Sequence, residues 1–338
     1  MKTRLVAALI GAVLGWNAPS AAASTLQEVK AKGFVQCGVH EGLQGFAAAA
    51  DNGEWQGMDV DVCRALAAAI FGDPKKVQFT PLSAEERFTA LLSGEIDVLA
   101  RNTTWTMTRD TKYGLNFAGV TYYDGQGFMV RKKLGISSAL ELSGATVCIQ
   151  KGTTTELNAA DFFTTKKMPY KLVSFEKADE TLQAYDAGRC DVFTSDASQL
   201  YAMRLKLTNP DEHMVLPEII SKEPLGPVVR QGDDQWFNLV RWTCFAILNG
   251  EELGVTSQNV DAKKSSSNPA IRRLLGVEGE FGKMLGIEND WAYRIIKMVG
   301  NYGEIFERNV GENSPLKIAR GVNALWSKGG IQYAPPIR

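Results

Sequence analysis

Histidine is scarce in this chain, and its cysteines are not spaced for a metal. The 338 residues include two histidines, His40 and His213, and five cysteines. The histidines lie far apart in sequence, and the chain contains no Cys-x-x-Cys pair. Structural zinc sites are built from closely spaced ligands of these types. We therefore expect no metal site, and we expect no cofactor.

An excess of charge of one sign is also missing. The formal net charge is −1, and it becomes about −3 (−1 minus 2) if Lys2 and Arg4 are removed with the N-terminus. Nucleic acids and anionic membrane surfaces attract strongly basic proteins. The composition therefore argues against both as partners.

Long apolar runs are absent as well. Residues 5–16 form an apolar run that is too short to span a bilayer, and no later run reaches its length without a charge. The run follows a basic start and precedes three alanines before Ser24, which is the pattern of a cleavable signal peptide. No cysteine lies near this point to carry a lipid anchor. We therefore expect residues 1–23 to be a signal peptide and the mature chain to be exported.

The remaining chain, about 315 residues, alternates short strands with helices of about ten residues. This alternation predicts βαβ units with parallel sheets, and the length suggests two lobes. The pattern occurs twice, because segment 93–98 resembles segment 187–192 at a spacing of 94 residues. The predicted strands are 34–39, 77–80 and 96–100 in the first lobe, and 146–150, 171–175 and 190–194 in the second.

Two extended, glycine-containing segments, 121–130 and 223–230, are typical of hinge crossings between lobes. We therefore assign residues 24–126 to lobe 1, 127–229 to lobe 2, and 230–338 to a return into lobe 1 plus a helical C-terminal extension. Within the extension, the pattern predicts helices over 290–306 and 315–326.

The segment 146–156 predicts a strand, a tight turn at Gly152 and the start of a helix. Ligand sites in such sheets lie beyond the carboxyl ends of the strands. The backbone N–H groups and hydroxyls of Thr153 and Thr154 would then stand at a helix N-terminus, which favours an anion. The residue order differs from a nucleotide-binding loop, so a carboxylate is the expected anion. An ordinary threonine N-cap is the alternative.

Export permits disulfides, and the five cysteines suggest two pairs and one free thiol. If the predicted strands that carry Cys148 and Cys190 are neighbours, a disulfide between them is geometrically feasible and closes about 40 residues. Cys37 and Cys63 form the second expected pair. Cys244 lies in an apolar helix and is expected to be a buried free thiol.

Four motifs occur in a fixed order along the chain: Gly57-Met-Asp-Val-Asp-Val62, the threonine-rich loop with Arg109, Gly152-Thr-Thr154 and Asp191-Val-Phe-Thr-Ser-Asp196. In this order they resemble the polar amino-acid-binding proteins, which are periplasmic solute-binding components of ABC importers. The 102–110 run and the long C-terminal tail are most similar to the general L-amino-acid-binding subgroup, and the resemblance covers the whole mature chain. It implies a type 2 fold with hinged lobes.

The resemblance also implies roles for individual residues. Arg109 would bind the ligand α-carboxylate as a bidentate guanidinium. An ungapped count back from segment 116–117 places Thr111 there instead, but threonine cannot supply the charge. Asp196 would receive the ligand ammonium, with Asn102 as its counterpart in the repeat. The remaining implied contacts are Thr104, Thr106, Gly152, Thr153 and Thr154.

The side-chain pocket departs from the family pattern. His40 and Leu43 lie where relatives usually have an acid and an aromatic residue. Leu43 would make the wall less aromatic, whereas His40 is either a selector of the ligand side chain or an ordinary loop residue. With no side-chain charge evident, we expect the pocket to accept several L-amino acids.

The resemblance implies a periplasmic monomer whose lobes close on an L-amino acid and present it to an inner-membrane ABC permease. The same fold also hosts exported dehydratase-type enzymes, which need a proton donor over the ligand. His40 and Glu41 are the candidates for that role, and neither has a visible partner. A ligand sensor is a further alternative. We expect a binding protein rather than an enzyme.

Overall fold

The computed structural model describes residues 24–338, so the predicted signal peptide lies outside the described residues. Within this range, no helix is long and apolar enough to cross a membrane. The strands are β1 (Val35–His40), β2 (Ala48–Ala49), β3 (Trp55–Gln56), β4 (Val77–Leu82), β5 (Val98–Leu99), β6 (Leu115–Phe117), β7 (Tyr122–Asp124), β8 (Gln126–Arg131), β9 (Thr146–Gln150), β10 (Lys171–Phe175), β11 (Val192–Asp196), β12 (His213–Val215), β13 (Glu223–Leu225) and β14 (Val228–Arg230). The α-helices are α1 (Thr25–Lys32), α2 (Met58–Phe71), α3 (Arg87–Ser93), α4 (Thr155–Thr165), α5 (Ala178–Asp186), α6 (Ala197–Arg204), α7 (Asp234–Glu252), α8 (Val260–Lys263), α9 (Pro269–Leu274), α10 (Phe281–Met284), α11 (Trp291–Met298) and α12 (Tyr302–Asn309).

Two five-stranded sheets form the centres of two lobes. Lobe 1 has the strand order β4-β1-β5-β14-β6, and lobe 2 has the order β10-β9-β11-β8-β12. In each sheet the βαβ strands predicted from the sequence are parallel neighbours: β1 lies between β4 and β5, and β9 lies between β10 and β11. The two-lobed α/β fold expected from the alternating pattern is therefore confirmed.

The two crossing segments form a small antiparallel ribbon. β7 leads into β8 of lobe 2, and β13 leads back into β14 of lobe 1. β7 and β13 pair with each other, so that Glu223 lies opposite Asp124 and Leu225 lies opposite Tyr122. This hydrogen-bonded ribbon lies between the two sheets and is where a hinge motion would occur.

The C-terminal extension packs on lobe 1 and on the hinge ribbon. In α12, Arg308 and Asn309 donate hydrogen bonds to the buried Asp61 of α2, at 2.8 Å and 2.6 Å. The Asn323 side chain accepts a hydrogen bond from the backbone N–H of Tyr123 in β7 and donates one to its carbonyl. The extension thus pairs with a backbone segment that connects the lobes.

Two helix predictions in the extension need correction. The single helix predicted over 290–306 is two helices, α11 and α12, because Gly300 has φ 105° and Asn301 starts α12 with a capping box to Glu304. The helix predicted over 315–326 is wrong, since that segment has a 3₁₀ turn at Gly321–Asn323 and a second that begins at Trp326. Lys317, with φ 50°, interrupts the helical path there.

The cysteines pair as expected. The two disulfides are Cys37–Cys63 and Cys148–Cys190, with Cα–Cα distances of 6.3 Å and 5.7 Å. The second pair forms because β9 and β11 are adjacent, with Cys148 opposite Phe193. Cys244 is the one free thiol among residues 24–338 and is buried, and burial raises its pKa to about 12. It is therefore an inert core residue at neutral pH.

Candidate functional site

A polar cavity lies in the cleft between the lobes, at the carboxyl ends of β5, β9 and β11. Residues of both lobes line it. Its position agrees with the general location of ligand sites in open α/β sheets. The lining residues are Arg87, Arg101, Asn102, Thr104 and Arg109 from lobe 1, and Gln150, Thr153, Thr154, Thr155, Ser195, Asp196 and Gln199 from lobe 2.

Arg109 lies in a π-helical turn, Thr108–Lys112, and its side chain is buried in the cavity lining. Its Nη1 donates to the carbonyl of Thr104 at 2.8 Å, and its guanidinium lies 5.2 Å from the ring centre of Phe88. Burial lowers the Arg109 pKa, while the carboxylates of Glu223 and Asp196 act in the opposite direction. The group is thus held in place by a carbonyl and an aromatic ring.

The neighbouring threonines differ in their access to the cavity. Thr104 lines it. Thr106 instead lines an adjoining groove, and its hydroxyl accepts the backbone N–H of Arg109 at 3.3 Å. Thr111, the alternative to Arg109 by ungapped counting, is exposed and donates to the carbonyl of Met107. The structure therefore places Arg109, and not Thr111, in the cavity.

The loop after β9 presents Thr153 and Thr154 at the start of α4. The Thr153 hydroxyl donates to the carbonyl of Gln150, and the Thr154 hydroxyl donates to Oε2 of Glu223 at 2.9 Å. Thr154 occupies the N-cap position, but its side chain does not cap the helix. The Thr153 hydroxyl also accepts the backbone N–H of Thr155 at 3.3 Å, so both hydroxyls are engaged within the protein at the positive end of the helix.

Gly152 turns this loop with φ 71° and lines the adjoining groove. A Cβ at this position would lie 2.9 Å from Cγ of Glu85 in lobe 1. The carbonyl of Gly152 accepts a hydrogen bond from Nη2 of Arg87 at 3.2 Å. Glycine is required here because the backbones of the two lobes approach closely.

Asp196 ends β11 and is the N-cap residue of α6, and it is buried in the cavity lining. Burial raises the Asp196 pKa well above its usual range, and the nearby carboxylates of Asp124 and Glu223 raise it further. Arg109 and Arg87 act in the opposite direction. The environment therefore favours a cation beside this carboxylate.

Asn102 connects the two lobes. It adopts φ 34°, a conformation that asparagine tolerates better than most residues. Its backbone N–H donates to Asp59 at 2.8 Å, and its Nδ2 donates to Oε1 of Gln199 in α6 at 3.4 Å. Lys206 also connects the lobes, since its Nζ donates to the carbonyl of Gly42 at 2.8 Å.

The expected side-chain pocket residues His40 and Leu43 do not line the cavity, and this part of the interpretation needs correction. Leu43 is 1% exposed and packs in the core of lobe 1, because hydrogen bonds between its backbone and that of Ala47 fold the loop inward. His40 is also buried, and its Nδ1 accepts the backbone N–H of Gly42. Burial, followed by the charge of Arg101, lowers the His40 pKa well below its usual value.

Several lining residues were not predicted from the sequence. Gln199 could have been found, because it lies one helical turn after Asp196 and shares its face. Arg101 had a weaker signal as a charged residue directly after an apolar strand. Nothing local marks Arg87, the first residue of α3, because its place in the cleft depends on how α3 packs on the sheet. The remaining unpredicted residues are Gln150, Thr155 and Ser195.

Known proteins share this architecture and sequence. The general L-amino acid-binding periplasmic protein AapJ of Rhizobium johnstonii is 65% identical, with 100% of both chains covered. The glutamate/glutamine/aspartate/asparagine-binding protein BztA of Rhodobacter capsulatus is 55% identical, with 95% of each chain covered. A solved periplasmic binding protein of an ABC transporter from Brucella ovis, with glutathione bound, is 63% identical and has a TM-score of 0.92. That comparison covers 94% of this chain and 100% of the solved one.

A family model also matches the part of the chain that builds both lobes. The model describes bacterial extracellular solute-binding proteins, family 3, and it matches residues 35–258. This range includes both sheets, the hinge ribbon and every residue that lines the cavity. The chain therefore belongs to family 3 of the bacterial extracellular solute-binding proteins.

Proposed function

We propose that this protein binds L-amino acids in the cleft between its lobes and delivers them to an ABC-transporter permease. The observation that carries the proposal is the pairing of opposite charges across one cavity. Arg109 comes from lobe 1 and Asp196 from lobe 2, and both are buried in the lining. An α-amino acid carries a carboxylate and an ammonium on one carbon, so it can engage both groups at once.

The same charges explain how a ligand favours closure. When the lobes come together, Asp196 loses water while Asp124 and Glu223 remain near it, and this raises its pKa. A ligand ammonium offsets that cost only when the lobes are closed. The ligand thus has a higher affinity for the closed state, which is the requirement for shifting the equilibrium. The Asn102–Gln199 and Lys206–Gly42 contacts then add to closure.

The proposed setting is the periplasm, after export by the N-terminal signal peptide, with the protein acting as a monomer. The proposed role is binding and not catalysis. An enzyme on this fold needs a proton donor directed at the ligand. The candidate His40 lies outside the cavity lining, with Nδ1 occupied by the backbone of Gly42. Glu41 lines a different groove, next to Lys206.

Calorimetry with a panel of L-amino acids tests this function, after refolding to remove any ligand carried through purification. We expect several L-amino acids to bind at micromolar or lower concentrations. Des-amino analogues should bind far more weakly, because they lack the ammonium that would face Asp196. D-amino acids should also bind more weakly, because their side chain takes a different direction when both charged groups are placed on the Arg109–Asp196 pair. Failure of the whole panel to bind would refute the proposal.

Glutathione is a second candidate ligand. It is bound in the 63% identical Brucella ovis structure, and it carries an α-amino acid group at its glutamyl end. The adjoining groove shares Arg109, Thr153 and Thr154 with the cavity and could accept the rest of a short peptide. Including glutathione and L-glutamate in the panel separates peptide binding from free amino-acid binding.

Replacing Arg109 by lysine should lower the affinity for every L-amino acid by about 10-fold or more, because lysine keeps the charge but loses the bidentate geometry. The measurement is calorimetry with three ligands of different side-chain type. The exposed Arg189→Lys in lobe 2 is the matched control and should change affinity little. If Arg109→Lys and the wild type bind these ligands with equal affinity, Arg109 does not bind the ligand carboxylate.

A further inference from the structure

The cavity contains more positive charge than an α-amino acid group needs. Three of its lining residues are arginines, Arg87, Arg101 and Arg109, whereas Asp196 is the one carboxylate that lines it within residues 24–338. If the ligand ammonium engages Asp196 and the α-carboxylate engages Arg109, two buried guanidinium groups remain. Buried charges are costly unless they are paired.

Arg101 is the clearer example of a buried guanidinium group without a full set of partners. Its side chain is 2% exposed, and its Nε donates to the carbonyl of Leu82 at 2.9 Å. Its Nη2 is buried and has no hydrogen-bond partner in the described chain. Burial lowers the Arg101 pKa to about 10, so the group stays protonated at neutral pH. The carboxylates of Glu41 and Asp59 raise the Arg101 pKa in part, but neither makes a hydrogen bond or an ion pair with Arg101 within residues 24–338.

Arg87 has a similar environment on the same side of the cavity. Its Nη1 and Nη2 donate to neutral oxygens, the Thr103 hydroxyl at 3.4 Å and the Gly152 carbonyl at 3.2 Å. Its Nε is buried without a partner among residues 24–338. Burial, followed by the charges of Arg109 and Arg101, lowers its pKa. A second anion in the cavity would relieve this repulsion.

We propose that Arg101 and Arg87 form a subsite for a second carboxylate, carried by the ligand side chain. This proposal rests on the proposed amino-acid binding and adds a ranking to it: L-glutamate and L-aspartate bind better than their amides. Arg101 and Arg87 line the same cavity as Arg109 and Asp196, so one amino acid could reach both charge pairs. A γ-glutamyl peptide is the other source of a second carboxylate. A charged subsite for either kind of ligand differs from the uncharged side-chain pocket that the sequence predicted.

The test compares each acid with its amide of nearly equal shape. By calorimetry, the wild type should bind L-glutamate about 10-fold or more tightly than L-glutamine, with the same order for aspartate and asparagine. Arg101→Met should lower the affinity for L-glutamate by about 30-fold and the affinity for L-glutamine by less than about 3-fold. Arg87→Met should act in the same direction. Arg189 is exposed, so Arg189→Met is the matched control and should change the affinity for neither ligand.

A purely structural role for Arg101 gives a different result, because both ligands would then weaken by the same factor, and that outcome would overturn the proposal. Equal wild-type affinities for glutamate and glutamine would overturn it as well. If Arg101→Met does not fold, Arg101→Lys replaces it and should retain the preference for the acid. Failure of glutamine and glutamate alike to bind the wild type would instead refute the proposed function.

Two peptides distinguish the source of the second carboxylate. Glutathione and γ-glutamylglycine carry it on the terminal glycine, several bonds beyond the position in glutamate. A loss of affinity in Arg101→Met for glutamate only assigns the subsite to acidic amino acids. A loss for the peptides only would show that Arg101 binds the terminal glycine carboxylate of a γ-glutamyl peptide, and it would overturn the assignment of the subsite to the side chain of an acidic amino acid.

Discussion

Asp196→Asn is expected to weaken the binding of every L-amino acid by about 30-fold or more, irrespective of the side chain. Truncating one partner of a buried charge pair typically costs about 2–5 kcal/mol, because the other charge is left buried and unpaired. Asp196 is buried, and burial together with Asp124 and Glu223 disfavours its charge unless a cation is present. Asparagine keeps the size but cannot offset the ligand ammonium. Calorimetry with neutral, acidic and basic ligands measures the effect.

Two controls make this result specific. Asp161→Asn removes one negative charge from an exposed position in the same lobe and should leave affinity unchanged. A ligand without the α-amino group should bind the wild type weakly and lose little more in Asp196→Asn. If the variant discriminates among side chains and treats amine and des-amino ligands alike, Asp196 is a capping or pocket residue instead.

Replacing Cys148 and Cys190 together by serine is expected to lower the free energy of unfolding by about 4 kcal/mol in the chain-entropy model. The disulfide joins residues 42 positions apart, so it restricts a long loop of the unfolded chain. It also connects β9 to the segment leading into β11, and these strands carry Thr153 and Asp196 at their ends. Urea unfolding followed by circular dichroism, under oxidising conditions, measures the change.

Cys244→Ala serves as the control, because this thiol takes part in neither disulfide. Removing the Cys37–Cys63 pair, 26 residues apart, should cost slightly less, about 3.5 kcal/mol by the same relation. A loss below about 1 kcal/mol for the Cys148–Cys190 pair would mean that the unfolded chain is already restricted. In that case loop closure is not the source of its stability.

The elements predicted correctly are those whose signals are local. In both lobes a helix stops near a glycine, Gly94 or Gly188, and a short strand follows, and both glycines adopt the positive φ that the turns require. Segment 146–156 forms the predicted strand, turn and helix start, with α4 beginning at Thr155. The disulfide Cys148–Cys190 could be predicted because adjacent strands of a βαβ unit bring their residues into reach.

The errors occur where a distant part of the chain decides the conformation. Leu43 belongs to a loop that looks available for ligand contact, yet its backbone pairing with Ala47 directs the side chain into the core. In the extension, Asn323 hydrogen-bonds to the backbone of Tyr123, about 200 residues away, in an irregular segment where the sequence predicted a helix. Neither contact can be recognised from the residue pattern around it.

The amino-acid sequence alone predicted the two-lobed α/β class, the hinge crossings and the cysteine pairs, and it located Asp196 at a strand end. The role of Arg109 came from the family resemblance. Alternating apolar residues and glycines at helix ends are patterns of ten or fewer residues, so they can be recognised without a structure. Only the tertiary structure decided the composition of the cavity. Arg101 and Arg87 enter it, and His40 and Leu43 do not, because the direction of a loop side chain depends on how sheets and helices pack around it.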